Sequence, residues 1–408
     1  MKPLIHSRSP QLGQASDSIV IGASVAGLQT ALLLAKGGAK VQLFDANDPT
    51  KVKPRTLIAT AQLAQALGFL PNEAVVNRVG TIEIFSSNRS VKIKLPQPDL
   101  IVERAKIIPL LAERAVDAGV KISSGHKFLG LEPNGNGVSV RVQRKQDQQV
   151  REFHTRRLIG ADGAFSRVAQ AAQMDGLPRV PLLQTIVDLP KGYEASNVRV
   201  WFEPDDTPYF YWLIPESTGK AALGLIADES HTAKKKLERF VRSHGFRAGE
   251  IQAAWIPLST PAHKPWRRIS GCDIFLVGDA AGHVKVTTVG GLVTGLWSAR
   301  AAAESILRKI SYEKTLRSLR RELFLHEVIR RVLNRFQAHD YDQLVQAIDP
   351  STARILGRHN RDELTLMALK LILTKPRLLG FLPRLFAPAK IAESLPESEA
   401  IQQATPST

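Results

Sequence analysis

Only one cysteine, Cys272, occurs in a chain of 408 residues. That excludes an internal disulfide framework and any multi-cysteine zinc or iron–sulfur centre. Cys272 directly precedes an apolar run, so a buried structural thiol is expected, and a reducing compartment fits it. Acidic residues are scarce too. Only 38 Asp and Glu stand against 55 Lys and Arg, which gives a formal net charge of +17. Such an excess suits nucleic acid, an anionic membrane face or an acidic partner. No helix-turn-helix, zinc-finger or RNA-binding signature accompanies it, so no nucleic acid partner is expected. No uninterrupted apolar stretch of about 18 residues occurs, so no transmembrane helix is expected. The N-terminus has Lys2 and Arg8 but no apolar h-region, which argues against a secretory signal. Residues 1–16 and 392–408 read as disordered tails. A cytoplasmic protein is expected, peripheral on the inner face of a membrane if the basic surface meets lipid.

What the chain does have is three glycine- and aspartate-bearing segments in a fixed order. The first is Ile19-Val20-Ile21-Gly22-Ala23-Ser24-Val25-Ala26-Gly27, with Asp45 after the next apolar run. Ser18 to Ile21 reads as a buried parallel strand. Val25 to Lys36 has helical apolar spacing and a Gly37-Gly38 stop. Lys40 to Phe44 reads as the second strand. The unit is βαβ, and its helix N-terminus offers N–H groups and a positive dipole end to a pyrophosphate. Asp45 is placed to accept hydrogen bonds from a ribose. Ser24 stands where the G-x-G-x-x-G fingerprint has its second glycine. An ordinary βα turn with no ligand is the plainer alternative for this segment.

The second segment is Leu158-Ile159-Gly160-Ala161-Asp162-Gly163, whose plainer reading is an Asp-Gly turn. The third is Phe275-Leu276-Val277-Gly278-Asp279-Ala280-Ala281-Gly282, followed by Val289-Gly290-Gly291. Ile274 to Val277 reads as a strand and Ala280 onward as a helix, with Asp279 at the junction either an N-cap or a ligand to a ribityl hydroxyl. Gly290, Gly291 and Leu292 would open a second helix aimed at a flavin ring. Together the three segments describe a flavin site.

These residues resemble a known superfamily, the flavoproteins that include p-hydroxybenzoate hydroxylase, and within it the geranylgeranyl reductase family. Gly160-Ala161-Asp162-Gly163 is similar to the group's "DG" motif and Gly278-Asp279 to its "GD" motif. Lys285-Val286-Thr287-Thr288-Val289-Gly290-Gly291 is similar to the reductases' Lys-Pro-Thr-Thr-Gly-Gly-Gly, with Val286 for the proline and Val289 for a glycine. Phe210-Tyr211-Trp212-Leu213-Ile214-Pro215 resembles their aromatic-x-Trp-x-Phe-Pro motif. The resemblance spans about residues 17 to 390. It implies noncovalent FAD, held by Gly22 to Gly27, Asp45, Arg55, Arg104, Asp162, Gly163, Gly278, Asp279, Gly290, Gly291 and Leu292. In that group the arginine that opens the helix here at Arg104 reaches the pyrophosphate. Phe210, Trp212 and Pro215 would line the substrate pocket, and no metal is implied. Many of the reductases carry a cysteine after the second strand, where this chain reads Lys51-Val52-Lys53-Pro54-Arg55-Thr56.

The expected fold class is α/β: a Rossmann-like, p-hydroxybenzoate hydroxylase-like FAD domain with an inserted antiparallel-sheet substrate domain and a C-terminal helical region. The FAD domain would be discontinuous, residues 17–80, 101–179 and 268–305. The sheet domain would take 81–100 and 180–267, and the helical region 306–391. Asn134-Gly135-Asn136-Gly137 signals a hairpin. Ile310 to Phe336 reads as helix. With Leu364 to Leu373, Lys375, Arg377, Leu378, Leu379 and Arg384, it has the composition of an interfacial helix on an anionic membrane; a packed cap with a solvated basic face is the alternative.

The leading functional expectation is an FAD-dependent reductase of carbon–carbon double bonds in an isoprenoid or lipid. Only one dinucleotide fingerprint is present, so electrons would come from a transiently docked NAD(P)H or from an acidic redox protein. An aromatic hydroxylase, a flavin halogenase and a non-catalytic flavin-binding protein are the alternatives. The sequence names no catalytic residue.

Overall fold

The computed structural model describes residues 11–12, 16–260 and 262–358, with isolated positions from Asp362 to Arg384. A six-stranded sheet carries the strand order Trp266–Ile269, Cys272–Leu276, Arg157–Gly160, Ser18–Ile21, Val41–Phe44, Lys121–Ser123. All its pairings are parallel except the first, an antiparallel hairpin. Alternation divides each inner strand between two cores. Val20, Leu43, Ile159, Phe275 and Val277 pack under the helices Val25–Lys36, Arg104–Asp117 and Leu292–Arg308. Ile19, Ile21, Phe44, Leu158, Ile274 and Leu276 face the second core, with Val138, Val140 and Val142 of a four-stranded sheet. Because both faces are covered, Ser18–Ile21 is apolar throughout apart from its first residue. The Asn134–Gly137 turn closes a hairpin between His126–Pro133 and Val138–Arg144. Cys272 is fully buried, and burial pushes its thiol up to about 12, in keeping with a structural role.

An eight-stranded sheet forms the second layer. Its order is Ala248–Pro257, Arg179–Asp188, Lys220–Ile226, Tyr211–Pro215, Asn197–Trp201, Val75–Phe85, Ser90–Glu103, Thr56–Ala59. It is antiparallel except where Asn197–Trp201 runs parallel to Val75–Phe85. The sequence expects this sheet within 81–100 and 180–267, and the observed sheet reaches further. Ser90–Glu103 is long enough to pair with Val75–Phe85 and also, through Leu100 to Glu103, with Thr56–Ala59. One face carries the helix Ser230–Ser243, which sequence reasoning missed; its Leu237 and Phe240 pack on Tyr211 and Leu213. The other face, with Trp212 and Ile214, covers Val284 and Val289.

Two expected helices need correction. No α-helix starts at Ala280. Gly278–Ala281 is a single 3-10 turn. Gly282, at φ +65°, ends it in the left-handed region, where a Cβ would lie 2.7 Å from Leu177 Cδ1. The next helix begins at Leu292. The Ile310–Phe336 run also divides, into Tyr312–Thr315 and Arg317–Leu333. Ala338–Ala347 and Pro350–Arg358 follow. Most of the apolar 364–386 run, with Lys375 and Arg377, lies outside the described residues, as do the two tails apart from Gln11, Leu12 and Ser16. No helix among the described residues is long and apolar enough to cross a membrane.

Candidate functional site

The chain leaves Ser18–Ile21 through Gly22, at φ +107°. A Cβ there would sit 2.4 Å from the Ala161 carbonyl oxygen, and one on Gly27 would sit 2.1 Å from the Gly22 oxygen. These two glycines let the first helix start close against its own strand and the 161 loop. Ser24 fills the place of the missing fingerprint glycine as an N-cap: its Oγ accepts from Gly27 N at 3.2 Å. Val25 and Ala26 then occupy the first turn, whose N–H groups have no intrahelical acceptor. Asp45 holds this loop in place. Its Oδ2 accepts from Ala23 N at 2.6 Å and its Oδ1 from Asn47 N at 2.7 Å.

The second helix N-terminus, Gly291-Leu292, comes in beside the first. The contact is made by small residues: a Cβ on Gly278, at φ +60°, would be 2.9 Å from Ala26 Cβ, and Gly295 packs on Gly278. Ser298 Oγ accepts from Gly278 N at 2.9 Å, a fixing contact that sequence reasoning missed. Asp279 stands at this junction. Its Oδ1 is so near Gly291 that a Cβ there would approach to 3.0 Å. Burial pushes the Asp279 carboxyl up, and the charges of Arg55 and Arg104 oppose the shift.

Arg55 and Arg104 arrive from the second layer. Glu103 caps the Arg104 helix and joins the two strand ends: its Oε1 accepts from Arg55 N and Ala105 N, both at 2.9 Å. Arg104 N donates to Arg55 O at 3.0 Å. Burial lowers both guanidinium groups, while Asp279 acts on each and Asp45 on Arg104 in the opposite sense. Both aspartates thus act on Arg104, and Arg55 carries a buried Nε without a hydrogen-bond partner.

Asp162 behaves differently. Its oxygens accept from Ser166 Oγ at 2.6 Å, Arg167 N at 2.7 Å and Val168 N at 3.1 Å. It organises the start of the Arg167–Ala171 helix, and Gly163 makes the turn at φ +85°.

The Lys285–Gly291 loop leads into the Leu292 helix N-terminus. Lys285 N donates to Gly290 O and Val289 N to Lys285 O. Val289 has φ +52°, rare for a β-branched side chain and the position where the resembled motif has glycine. Its side chain is buried with Val284 under Trp212. Phe210 packs partly on the same cluster, and Trp212 lies across Gly224 with its Nε1 unpartnered. Pro215 has the parity of Tyr211 and Leu213, opposite to Trp212, so Trp212 and Phe210 are the two that meet over the loop. Lys285 Nζ pairs with the Asp362 carboxylate, which also accepts from Thr60 Oγ1. Thr60, Lys285, Thr288, Gly290 and Leu292 border one small recess. Asp362 gave no sequence signal, because its partners lie far away along the chain. No group of three or more His, Cys, Asp or Glu among the described residues is placed to hold a metal ion.

The sequence profile of the family described as FAD binding domain matches residues 15–314. The chain belongs to that family. FAD is its cofactor, and it is an FAD-dependent oxidoreductase. This FAD-binding protein is similar to the digeranylgeranylglycerophospholipid reductase of Methanocaldococcus jannaschii, 25% identical over 91% of this chain and 98% of that one. It is also similar to the geranylgeranyl diphosphate reductase of Rhodobacter capsulatus, 27% identical over 71% of this chain and 75% of that one. Its fold is shared with a geranylgeranyl bacteriochlorophyll reductase-like protein from Thermoplasma acidophilum, at TM-score 0.78 and 17% identity over 92% and 100% of the two chains. The p-nitrophenol 4-monooxygenase of Pseudomonas putida has the same fold at TM-score 0.62 and 17% identity, over 93% of this chain and 99% of that one.

Proposed function

We propose that this protein reduces carbon–carbon double bonds of an isoprenoid or related lipid. The observation that carries the reading is the convergence of two helix N-termini on a half-buried Asp279–Arg55–Arg104 group beside an apolar roof. Two relatives that match over most of the chain are named as reductases of geranylgeranyl compounds, which supports this substrate class.

The residues present fit FAD. The Val25 helix offers two N–H groups to a pyrophosphate, and Arg104, within the influence of Asp45 and Asp279, adds positive charge there. Asp45 has acceptor capacity left for ribose hydroxyls, and Asp279 has it for the ribityl chain. The unpartnered Arg55 Nε and the Leu292 helix N-terminus supply donors at the ring end. Bound there, FAD supplies the hydride chemistry. The chain positions the cofactor, keeps water out under Trp212, Val284 and Val289, and aims positive dipole ends at developing negative charge.

Electrons come from a transiently docked NAD(P)H or from an acidic redox protein, which the net charge of +17 favours. A lipid substrate enters from an anionic membrane surface. Arg317, Arg321, Phe324 and Arg331 follow helical spacing along one side of the Arg317–Leu333 helix, and Phe324 is 53% exposed among exposed arginines. Arg384 is drawn away from that role by its ion pair with Asp340, and Arg330 by its bond to Pro208 O.

The test is anaerobic reduction of the flavin-loaded protein, followed by addition of a geranylgeranyl compound and then of air. Substrate-dependent reoxidation with a saturated product is expected. A detectable oxygen adduct with no saturated product would make it a hydroxylase. A flavin that resists reduction would make it a binding protein.

A further inference from the structure

A second cavity lies on the far side of the Gly278–Gly282 turn, between the segment joining the two sheets and the Arg317–Leu333 helix. Its volume is about 160 Å³, and Ser259, His263, His283, Arg320, Phe324 and Glu327 are among its lining residues. One bridging water needs only about 10–15 Å³ of such volume, so the space exceeds a single trapped water.

The polar lining is buried and incomplete. His263 is 7% exposed, His283 3% and Glu327 8%. Both ring nitrogens of His263, Nδ1 of His283 and Oε2 of Glu327 have no hydrogen-bond partner. Leaving such groups buried and unpaired is costly, and sites that do so are built for something that completes them. They come from three separate segments, so no single local turn explains them.

The charge around them selects the sign of the ligand. Arg320 acts on His263, His283 and Glu327, and Arg331 acts on Glu327 as well. The Asp175 charge acts on His263 in the opposite sense. Burial and the Arg320 charge push both imidazoles down, His263 adding to this at His283, and burial raises the Glu327 carboxyl despite a hydrogen bond from Ser259. A metal cation is not suited, since no three ligating side chains are placed for one among the described residues. An anion would be: each imidazole can donate a ring N–H and a Glu327 carboxyl can donate when protonated, beside a guanidinium that is always charged.

We propose that this cavity binds a small oxyanion, a phosphate or a phosphate-bearing headgroup, held by Arg320, His263, His283 and Glu327. The inference is independent of the reaction at the flavin. Arg320 and Phe324 at the cavity belong to the same helix as the basic outer face. The shared chemistry therefore has two sources, free phosphate and a lipid headgroup.

The experiment is calorimetric titration of the flavin-loaded full chain with inorganic phosphate and, separately, with a water-soluble short-chain phosphatidic acid. Saturable one-site binding is expected. His263→Gln and His283→Gln should each weaken it by roughly tenfold, while Arg321→Gln, outside the lining, leaves it unchanged. Binding of phosphate alone identifies a free-anion site, and binding of phosphatidic acid only identifies a headgroup site. Binding of neither overturns the proposal, as does binding that ignores both histidines and falls with Arg321→Gln. Should His283→Gln lose its flavin absorbance, His263→Gln, on another segment, decides.

Discussion

At the Gly22–Asp45 end of the site, the polar side chains are fixed by groups close in sequence; at the Lys285–Gly291 end, the side chains are fixed by groups far away. Ser24 caps its own helix, and Asp45 binds the loop between its own two strands. Lys285, by contrast, is held by Asp362, and Val289 keeps a rare backbone conformation under Trp212. The first end is a local motif. The second is a tertiary one, and its geometry is imposed by the layers around it.

The sharpest way to break this contrast is at Gly22. Gly22→Val places a β-branched side chain at φ +107° and against the Ala161 carbonyl. A stability loss above about 3 kcal/mol and loss of flavin retention are expected. Normal flavin content after reconstitution would show that close packing is not what the glycine provides. Asp362→Asn tests the distant end. Removing one partner of a buried ion pair costs about 3 kcal/mol or more, whereas Lys285→Met with Asp362→Leu should recover much of it. A neutral single variant in urea unfolding would reduce the pair to a surface contact.

Asp279→Ala should weaken FAD binding by about 1–3 kcal/mol, the cost of losing a hydrogen-bond acceptor at a buried site. An unchanged dissociation constant would leave Asp279 a purely structural residue. Acidification sharpens the comparison further. Burial pushes His283 down to about 3, so the folded state keeps it neutral while the unfolded chain protonates below about 6.5. Stability should therefore fall with pH from about 6.5 towards about 3, by up to ~1.4 kcal/mol per unit. Denaturation near pH 6.5 and near pH 5.5 checks this, and His283→Gln should flatten the slope. The smallest effect is expected at Val289. In Val289→Gly, relief of about 1–2 kcal/mol of backbone strain offsets the loss of buried methyl groups. It should cost at least about 1 kcal/mol less than Val284→Gly, whose side chain is buried in the same cluster without that strain. Equal losses in thermal unfolding would mean that Val289 is not strained.

This contrast also explains what the sequence disclosed. The Ser18–Asp45 unit, the Asn134–Gly137 hairpin and the Leu292 helix announce themselves by periodicity, glycines and turn residues a few positions apart. Glu103 and Ser298, which fix Arg55 and Gly278, carry no such mark, because their partners lie 48 and 20 positions away along the chain. The strand Thr56–Ala59 was hidden for the same reason: its apolar run is short, and only pairing with Leu100–Glu103 makes it a strand. Asp279 misled in one respect. Strand–Gly–Asp–Ala–Ala reads as a helix start, and only Gly282's left-handed backbone stops it after one turn.

The strand order of the six-stranded sheet has a consequence for biosynthesis. Ser18–Ile21, made early, pairs with Arg157–Gly160, and that strand pairs with Cys272–Leu276. A chain emerging from the ribosome at about 5–20 residues per second pairs Ser18–Ile21 with Val41–Phe44 early, but leaves its other edge exposed long before Arg157–Gly160 exists. The second helix N-terminus, at Leu292, is later still. Capture of flavin therefore waits until the Leu292 helix has been made, and until Arg157–Gly160 emerges the nascent Ser18–Ile21 strand has an open edge for chaperones to cover.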